Sequence, residues 1–229
     1  MPRHPARRLA LATGPAVLVA SLLGGVPAAE GAAAFPGPVI TVETGDIHLS
    51  SPTVADVNGD GVKDIAVGSL DGLLRVLDGR TGAALPGWPQ PVQPRAGRTT
   101  AVESSPTVAD LDGDGGVEII VGAGSVEQST VGQPGGLVVF NRDGSVRWRM
   151  EGQDRFNQWT DGPPDGVGDG VISTPAVGDV DGDGFKDIVF GGFDHQVYVK
   201  DRHGRDLPGF PFNNADTIWT SPALYDVDG

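Results

Sequence analysis

An acidic phrase that recurs along the chain constrains its fold more than any other feature. It reads SPTVADVNGDGVKDIAVG at Ser51–Gly68, SPTVADLDGDGGVEIIVG at Ser105–Gly122 and TPAVGDVDGDGFKDIVFG at Thr174–Gly191, then begins again as SPALYDVDG at Ser221–Gly229. Each full copy joins one short apolar run to another through a loop carrying a side-chain oxygen at every second position. Copies begin roughly 45 to 70 residues apart, a period that indicates propeller blades and argues against a helical solenoid.

Strand signals within the units agree with that period. In the first unit Ser51–Ala55, Asp64–Gly68 and Leu73–Leu77 read as strands, and Asp78–Gly82 turns toward a fourth. The third unit repeats the scheme through Ile188–Phe190 and Gln196–Lys200. Four short strands per repeat is the count for a blade. With 36 Gly and 19 Pro in 229 residues, the composition favours tight turns and leaves no useful length of helix after the first thirty residues. The expected fold is therefore all-β: a partial β-propeller of four-stranded antiparallel blades over 35–229. Pro38–His48 is expected to add an outer strand of a further blade. Because the fourth phrase stops after Asp226 and Asp228, the chain reads as part of a longer protein with an open edge.

The loops carry the chemistry. Counted from the first acidic residue, positions 1, 3, 5 and 9 are Asp56, Asn58, Asp60 and Asp64 in the first copy. They are Asp110, Asp112, Asp114 and Glu118 in the second, and Asp179, Asp181, Asp183 and Asp187 in the third. Glycine holds position 6 (Gly61, Gly115, Gly184), where the backbone must turn sharply, and position 7 offers a carbonyl from Val62, Gly116 or Phe185. Asp226 and Asp228 begin a fourth set. A donor set made only of hard oxygens selects Ca²⁺ over zinc or copper, and Mg²⁺ fits less well because it retains water. Position 12 is Val67, Val121 or Phe190 inside a β-run, so the loop is not an EF-hand, which needs a bidentate Glu there. Carboxylates crowded on nine residues repel one another unless a cation lies between them.

The calcium reading also explains two bulk properties. The net charge is −14, yet carboxylates of the three complete loops supply more than a third of the 30 acidic residues, so the acidity belongs largely to the apo loops. Such a charge would ordinarily suggest repulsion from nucleic acid, which is not expected as a partner, but its origin in the loops means that it says little about partners. The chain has no cysteine, which leaves bound metal as a substitute for disulfide staples.

Residues 1–34 have the layout of a secretory signal peptide. Arg3, Arg7 and Arg8 precede an apolar run from Leu9 to Val26, and Val26-Pro27-Ala28 offers a small-x-small cleavage site. The alternatives are a retained anchor and a twin-arginine export signal at Arg7-Arg8. Gly14, Pro15, Gly24 and Gly25 interrupt the apolar run, so no membrane span is expected once the signal is removed.

Taken together, the loops and the segments VGSL at 67–70, VGAG at 121–124 and FGGF at 190–193 resemble the FG-GAP/VCBS-type repeat, the calcium-binding blade of integrin α-subunit propellers. The resemblance extends over about Phe35 to Gly229 and implies a propeller with Ca²⁺ in its hairpin loops. It leaves function open, because the family includes adhesion propellers, lectins and polysaccharide lyases.

Three readings follow. One is a secreted or cell-surface calcium-binding module for adhesion or binding to an extracellular glycan or protein. A second is the propeller portion of a secreted calcium-dependent polysaccharide lyase or glycoside hydrolase, with Asp161, Asp165 or Asp169 as acid or base. A third is a stalk or accessory domain. No catalytic grouping stands out, and His195 reads as a solvated turn residue. The segments that vary between copies are Ala123–Gly136 and Glu151–Gly170, which read either as binding loops or as tolerated insertions. Leu85-Pro-Gly-Trp-Pro89 and Leu207-Pro-Gly-Phe-Pro211 also recur, and each is expected to end an outer strand and tuck its ring against a neighbouring blade, with sugar stacking by Trp88 and Phe210 as the alternative.

Overall fold

The computed structural model describes residues 44–126, 132–155 and 163–227. Residues 1–34, with the signal peptide expected there, lie outside them, as do Asp161 and Asp228. Among the described residues there is no helix, and hence none long and apolar enough to cross a membrane.

Three four-stranded antiparallel sheets form in chain order. The first contains β1 (Thr53–Ala55), β2 (Asp64–Gly68), β3 (Leu73–Leu77) and β4 (Gln90–Pro91). The second contains β5 (Thr107–Ala109), β6 (Glu118–Ala123), β7 (Gly136–Asn141) and β8 (Val146–Glu151). The third contains β9 (Ala176–Gly178), β10 (Asp187–Gly191), β11 (Gln196–Lys200) and β12 (Phe212–Asn213). Each strand pairs with the next in sequence, so every sheet is an up-and-down meander, the topology of a propeller blade. Of the expected strands of the first unit, Asp64–Gly68 and Leu73–Leu77 coincide with β2 and β3, whereas Ser51–Ala55 shortens to Thr53–Ala55 in β1. Residues 44–48 form no strand, so the described part of the proposed strand at 38–48 is irregular.

Burial explains why the second strand of each phrase is a continuous apolar run. Ile119 and Val121 of β6 enter a core shared with Ala66, Leu74 and Val76 of the first blade. Ile120, between them, enters a core shared with Ile188, Phe190 and Tyr198 of the third. Successive side chains of a strand point to opposite faces. A strand buried on both faces therefore has no place for a polar alternate beyond its opening carboxylate, here Glu118, which turns back to the loop, and every residue of β6 is buried. Hydrophobic burial in this fold lies between blades as much as within them.

The inner strands are stitched together by the Ser-Pro-Thr opening of the phrase. Ser51 donates its backbone N–H to Ser105 Oγ at 2.9 Å, and the Thr53 hydroxyl donates to the Pro106 carbonyl. One blade on, Thr107 Oγ1 donates to the Pro175 carbonyl at 2.6 Å. Thr174 in turn donates its N–H to Ser221 Oγ at 2.9 Å, so the fourth phrase engages the third blade by the same contact.

The recurrent Pro-Gly phrase has a different place from the one expected. It precedes the outer strand and leads into β4 or β12 instead of ending that strand. Trp88 does reach the neighbouring blade. Its indole N–H donates to the Arg142 carbonyl at 3.1 Å, and its ring meets Phe140 edge-on at 5.5 Å. Gly87 permits this approach: it has a φ of 88°, and a Cβ there would sit 1.9 Å from the Asp143 carbonyl oxygen. Phe210 packs within its own blade, against Val189, Val199 and Leu207. Trp148 of β8 makes the same contact between the second and third blades, its indole N–H donating to the Arg202 carbonyl at 3.1 Å.

Candidate metal loops

Each acidic loop connects the first two strands of a blade. Its backbone is folded by its own side chains. Asp110 of the second loop accepts the N–H groups of Gly113 at 2.7 Å and Gly115 at 2.9 Å. Asp56 does the same for Gly59 and Gly61, and Asp179 for Gly182 and Gly184. The position-6 glycines, Gly61, Gly115 and Gly184, have φ of 80°, 87° and 87° with open space where a side chain would stand, so backbone conformation is what requires glycine there. Position 9 closes the loop from the strand side. Asp64, Glu118 and Asp187 accept the N–H of Val57, Leu111 and Val180, respectively, at 3.0, 3.0 and 2.8 Å.

That last bond reveals a role for position 2 that the ligand pattern conceals. Val57 and Leu111 are buried in the cores between the first and second blades and between the second and third. Val180, the third equivalent, is 42% exposed. In the first two blades the loop thus keeps positions 1, 3 and 5 partly or fully exposed and position 9 buried, while driving its second side chain between blades.

Carboxylate oxygens of Asp110, Asp112 and Glu118 lie within 4.8 Å of one another, and so do those of Asp179, Asp181 and Asp187. Both groups have the span that a single ion would bridge. The first loop has Asn58 at position 3, so an amide oxygen joins the expected carboxylate donors Asp56, Asp60 and Asp64 and the Val62 carbonyl, and no group of three converging carboxylates forms there among the described residues. Position 5 also serves the loop backbone. Asp60, Asp114 and Asp183 accept the N–H of Val62, Gly116 and Phe185 at 2.8, 2.6 and 2.9 Å, fixing the residue expected to present its carbonyl. Asp226 is exposed, and no three-carboxylate group includes it among the described residues.

The donor set fits a hard cation. Asp112 Oδ1 is buried with no hydrogen-bond partner, an orphaned acceptor that an ion would satisfy. Burial pushes the Glu118 carboxyl above its ordinary range, against the pull of the Leu111 N–H and Arg147, while Asp112 and Asp114 add to the upward shift. Burial likewise raises Asp187, with Asp181 and Asp183 beside it. A carboxylate destabilised by burial and like-charged neighbours is one that a cation relieves.

An arginine faces every loop, which the ligand spacing does not foretell. Arg80 pairs with Asp60 at 2.6 Å, and Arg202 reaches Asp183 at 3.5 Å while its guanidinium covers the Phe185 ring. Arg147 behaves differently: it bridges Asp112 and Glu118, members of the three-carboxylate group itself.

Of the acids considered for catalysis, Asp165 is exposed and caps the Val167 N–H. Asp169 is buried, not solvated as a flexible loop would have it, and accepts the Arg155 N–H at 3.2 Å. His195 is half-buried with a φ of 63°, in the turn between β10 and β11.

Residues 56–121 match a profile of the FG-GAP-like repeat, consistent with an FG-GAP/VCBS-type repeat protein. No curated protein sequence matches the chain significantly. Similar solved structures include the Pseudomonas aeruginosa PilY1 C-terminal domain, at 23% identity and a TM-score of 0.47, over 73% of this chain and 33% of that one. A quinohemoprotein alcohol dehydrogenase from Comamonas testosteroni is similar at 15% identity and a TM-score of 0.32, over 63% and 33%. A europium-containing methanol dehydrogenase is similar at 16% and 0.32, over 67% and 40%. The chain spans about a third of the length of these structures.

Proposed function

We propose that this chain is a calcium-binding β-propeller module, secreted or displayed at the cell surface, that binds an extracellular glycan or protein. The observation that carries the reading is the loop geometry. Three loops in three blades fold by the same hydrogen bonds, and two of them draw three carboxylates within 4.8 Å. Asp110, Asp112 and Glu118 would hold one ion, Asp179, Asp181 and Asp187 a second, and Asp56, Asn58 and Asp64 a third. A bound Ca²⁺ supplies charge neutralisation there and pins the hairpin that carries the position-2 wedge.

Topology supports one end of the blades as the ligand-binding face. Metal loops join the first and second strands, so the antiparallel meander puts the second-to-third connections and the blade-to-blade connections at the opposite end. The two segments that vary between copies leave the sheet at that end. Their described parts interlock: Gly135 donates its N–H to the Gly168 carbonyl at 2.7 Å, Gly152 donates to Gly135 at 2.9 Å, and Arg95 pairs with Glu151 across them. Loops held by a rigid scaffold are where binding residues concentrate.

Extracellular calcium modules bind at roughly 0.1–1 mM, so each site would add on the order of 1 kcal/mol at millimolar calcium. Melting in EDTA against 5 mM CaCl₂ is expected to rise by several degrees, with Asp187→Asn removing part of the gain. An identical melting curve in both buffers would refute the calcium assignment. Binding to a glycan and matrix-protein array is expected to disappear when 127–131 is replaced by a Gly-Ser segment of equal length. Binding that survives this replacement would refute the assigned face, and an array with no bound ligand would refute the binding reading.

A further inference from the structure

We infer that Arg147 is a displaceable internal counter-cation for the second loop, so that this loop binds Ca²⁺ more weakly than the third and only after the guanidinium has left. The inference rests on the calcium reading above and concerns what sets the three sites apart. Arg147 Nη1 donates to Glu118 Oε1 at 2.8 Å and Nη2 to Asp112 Oδ2, which are the ninth and third positions of the loop. These oxygens belong to two of the three residues that converge on the expected ion position.

Among the described residues, the other loops lack this arrangement. Arg80 and Arg202 meet position 5, outside the converging set, and Arg202 does so at 3.5 Å while stacked on Phe185. The difference has a structural origin. Arg80 and Arg202 stand in the turn after the third strand of their blades, whereas Arg147 projects from β8, the fourth strand. It is only 20% exposed and is held over the loop it neutralises.

Fork-shaped pairing of arginine with carboxylates is strong and directional. A guanidinium bound to two donors competes with an ion for them, and its charge opposes a divalent cation if it stays close. There is room for it to withdraw. A cavity of about 410 Å³ adjoins the loop, lined by Asp114–Glu118, Asn141–Asp143 and Arg147 itself. Asp112 therefore offers one oxygen to arginine and keeps the other, Oδ1, buried and unpartnered. The loop balances its charge without metal and exchanges arginine for metal when calcium is high.

The test is calcium titration of the full chain by calorimetry, comparing wild type with Arg147→Gln. The variant is expected to tighten one site at least tenfold, with Glu118→Gln abolishing the gain. It is also expected to melt lower than wild type in EDTA, yet gain more on calcium addition. An Arg147→Gln titration indistinguishable from wild type, or a weakened site, would overturn the counter-cation role while leaving the calcium reading intact; no binding in either protein would overturn both. A second comparison needs no change at Arg147. In an otherwise wild-type chain, Asp187→Asn is expected to remove a tighter phase and Glu118→Gln a weaker one, and the reverse order refutes the inference.

Discussion

Replacing Leu111 with alanine separates the two jobs of the acidic loop. Leu111 is fully buried between the second and third blades, whereas Val180, at the same loop position one blade later, is 42% exposed. Deleting three carbons from a rigid, fully buried site costs about 3–5 kcal/mol, combining lost transfer energy with the residual cavity. An exposed valine truncated to alanine costs about 0.5 kcal/mol or less. For a domain of this size, about 2–4 °C of melting temperature accompanies each kcal/mol. Leu111→Ala should thus lower the melting temperature by roughly 6–20 °C and Val180→Ala by no more than about 2 °C. The assay is thermal unfolding followed by tryptophan fluorescence, since Trp88 and Trp148 both hydrogen-bond across blade junctions. Equal losses in the two variants would show that position 2 matters to the loop itself and refute the wedge between blades.

Three further expectations are independent of that one. Burial works against the Asp71 carboxylate, but Arg75, the Ser69 hydroxyl and the Leu73 N–H outweigh it and hold its pKa down at about 2. A depressed carboxylate stabilises the fold above its ordinary range and loses that contribution as pH falls from about 4 to about 2. After discounting for solvent screening, the expected size is about 1 kcal/mol. The stability difference between wild type and Asp71→Asn, measured by urea unfolding, should shrink across that window; a constant gap would refute it. Trp148→Phe removes one indole hydrogen bond to the third blade and should cost about 1 kcal/mol, with the Arg202 carbonyl left to solvent; no change in urea midpoint would count against the junction. Ser105→Ala withdraws the acceptor for the Ser51 N–H and should destabilise by a similar amount, whereas Ser105→Thr, which retains the oxygen, should not.

The blades are legible in the sequence because a period-2 strand and a ligand loop each leave a local record. Asp64–Gly68 and Leu73–Leu77 coincide with β2 and β3, and after its opening carboxylate β6 is apolar at every position because the neighbouring blades cover both its faces. Two of the three outer strands leave almost no record: β4 and β12 are two residues each, too short for any alternation, so the Pro-Gly phrase reads as their end when it stands at their start. The ligand pattern shows which oxygens could converge but not their division of labour. Position 5 spends an oxygen on its own loop backbone, and a hydrogen bond to a residue two places away is invisible in a pattern that treats all acids alike. Arg147 cannot be found from the loop, because it comes from a strand 29 residues after Glu118.

A single hydrogen bond makes metal and packing interdependent. The position-9 carboxylate that would bind the ion also accepts the N–H of position 2, whose side chain fills the junction between blades. Any charge change at Glu118 therefore bears on Leu111. With neither arginine nor metal present, Asp110, Asp112 and Glu118 repel one another, and relaxing them tends to pull position 2 out of its core. On the proposed reading either cation would prevent this, guanidinium from within or calcium from solution, and would keep the second blade docked to the third. Among the described residues no arginine meets the third loop's converging carboxylates, and its position-2 side chain is exposed. Its order should then follow calcium most closely, and hydrogen exchange at 179–187 should slow on calcium addition more than exchange at 110–118.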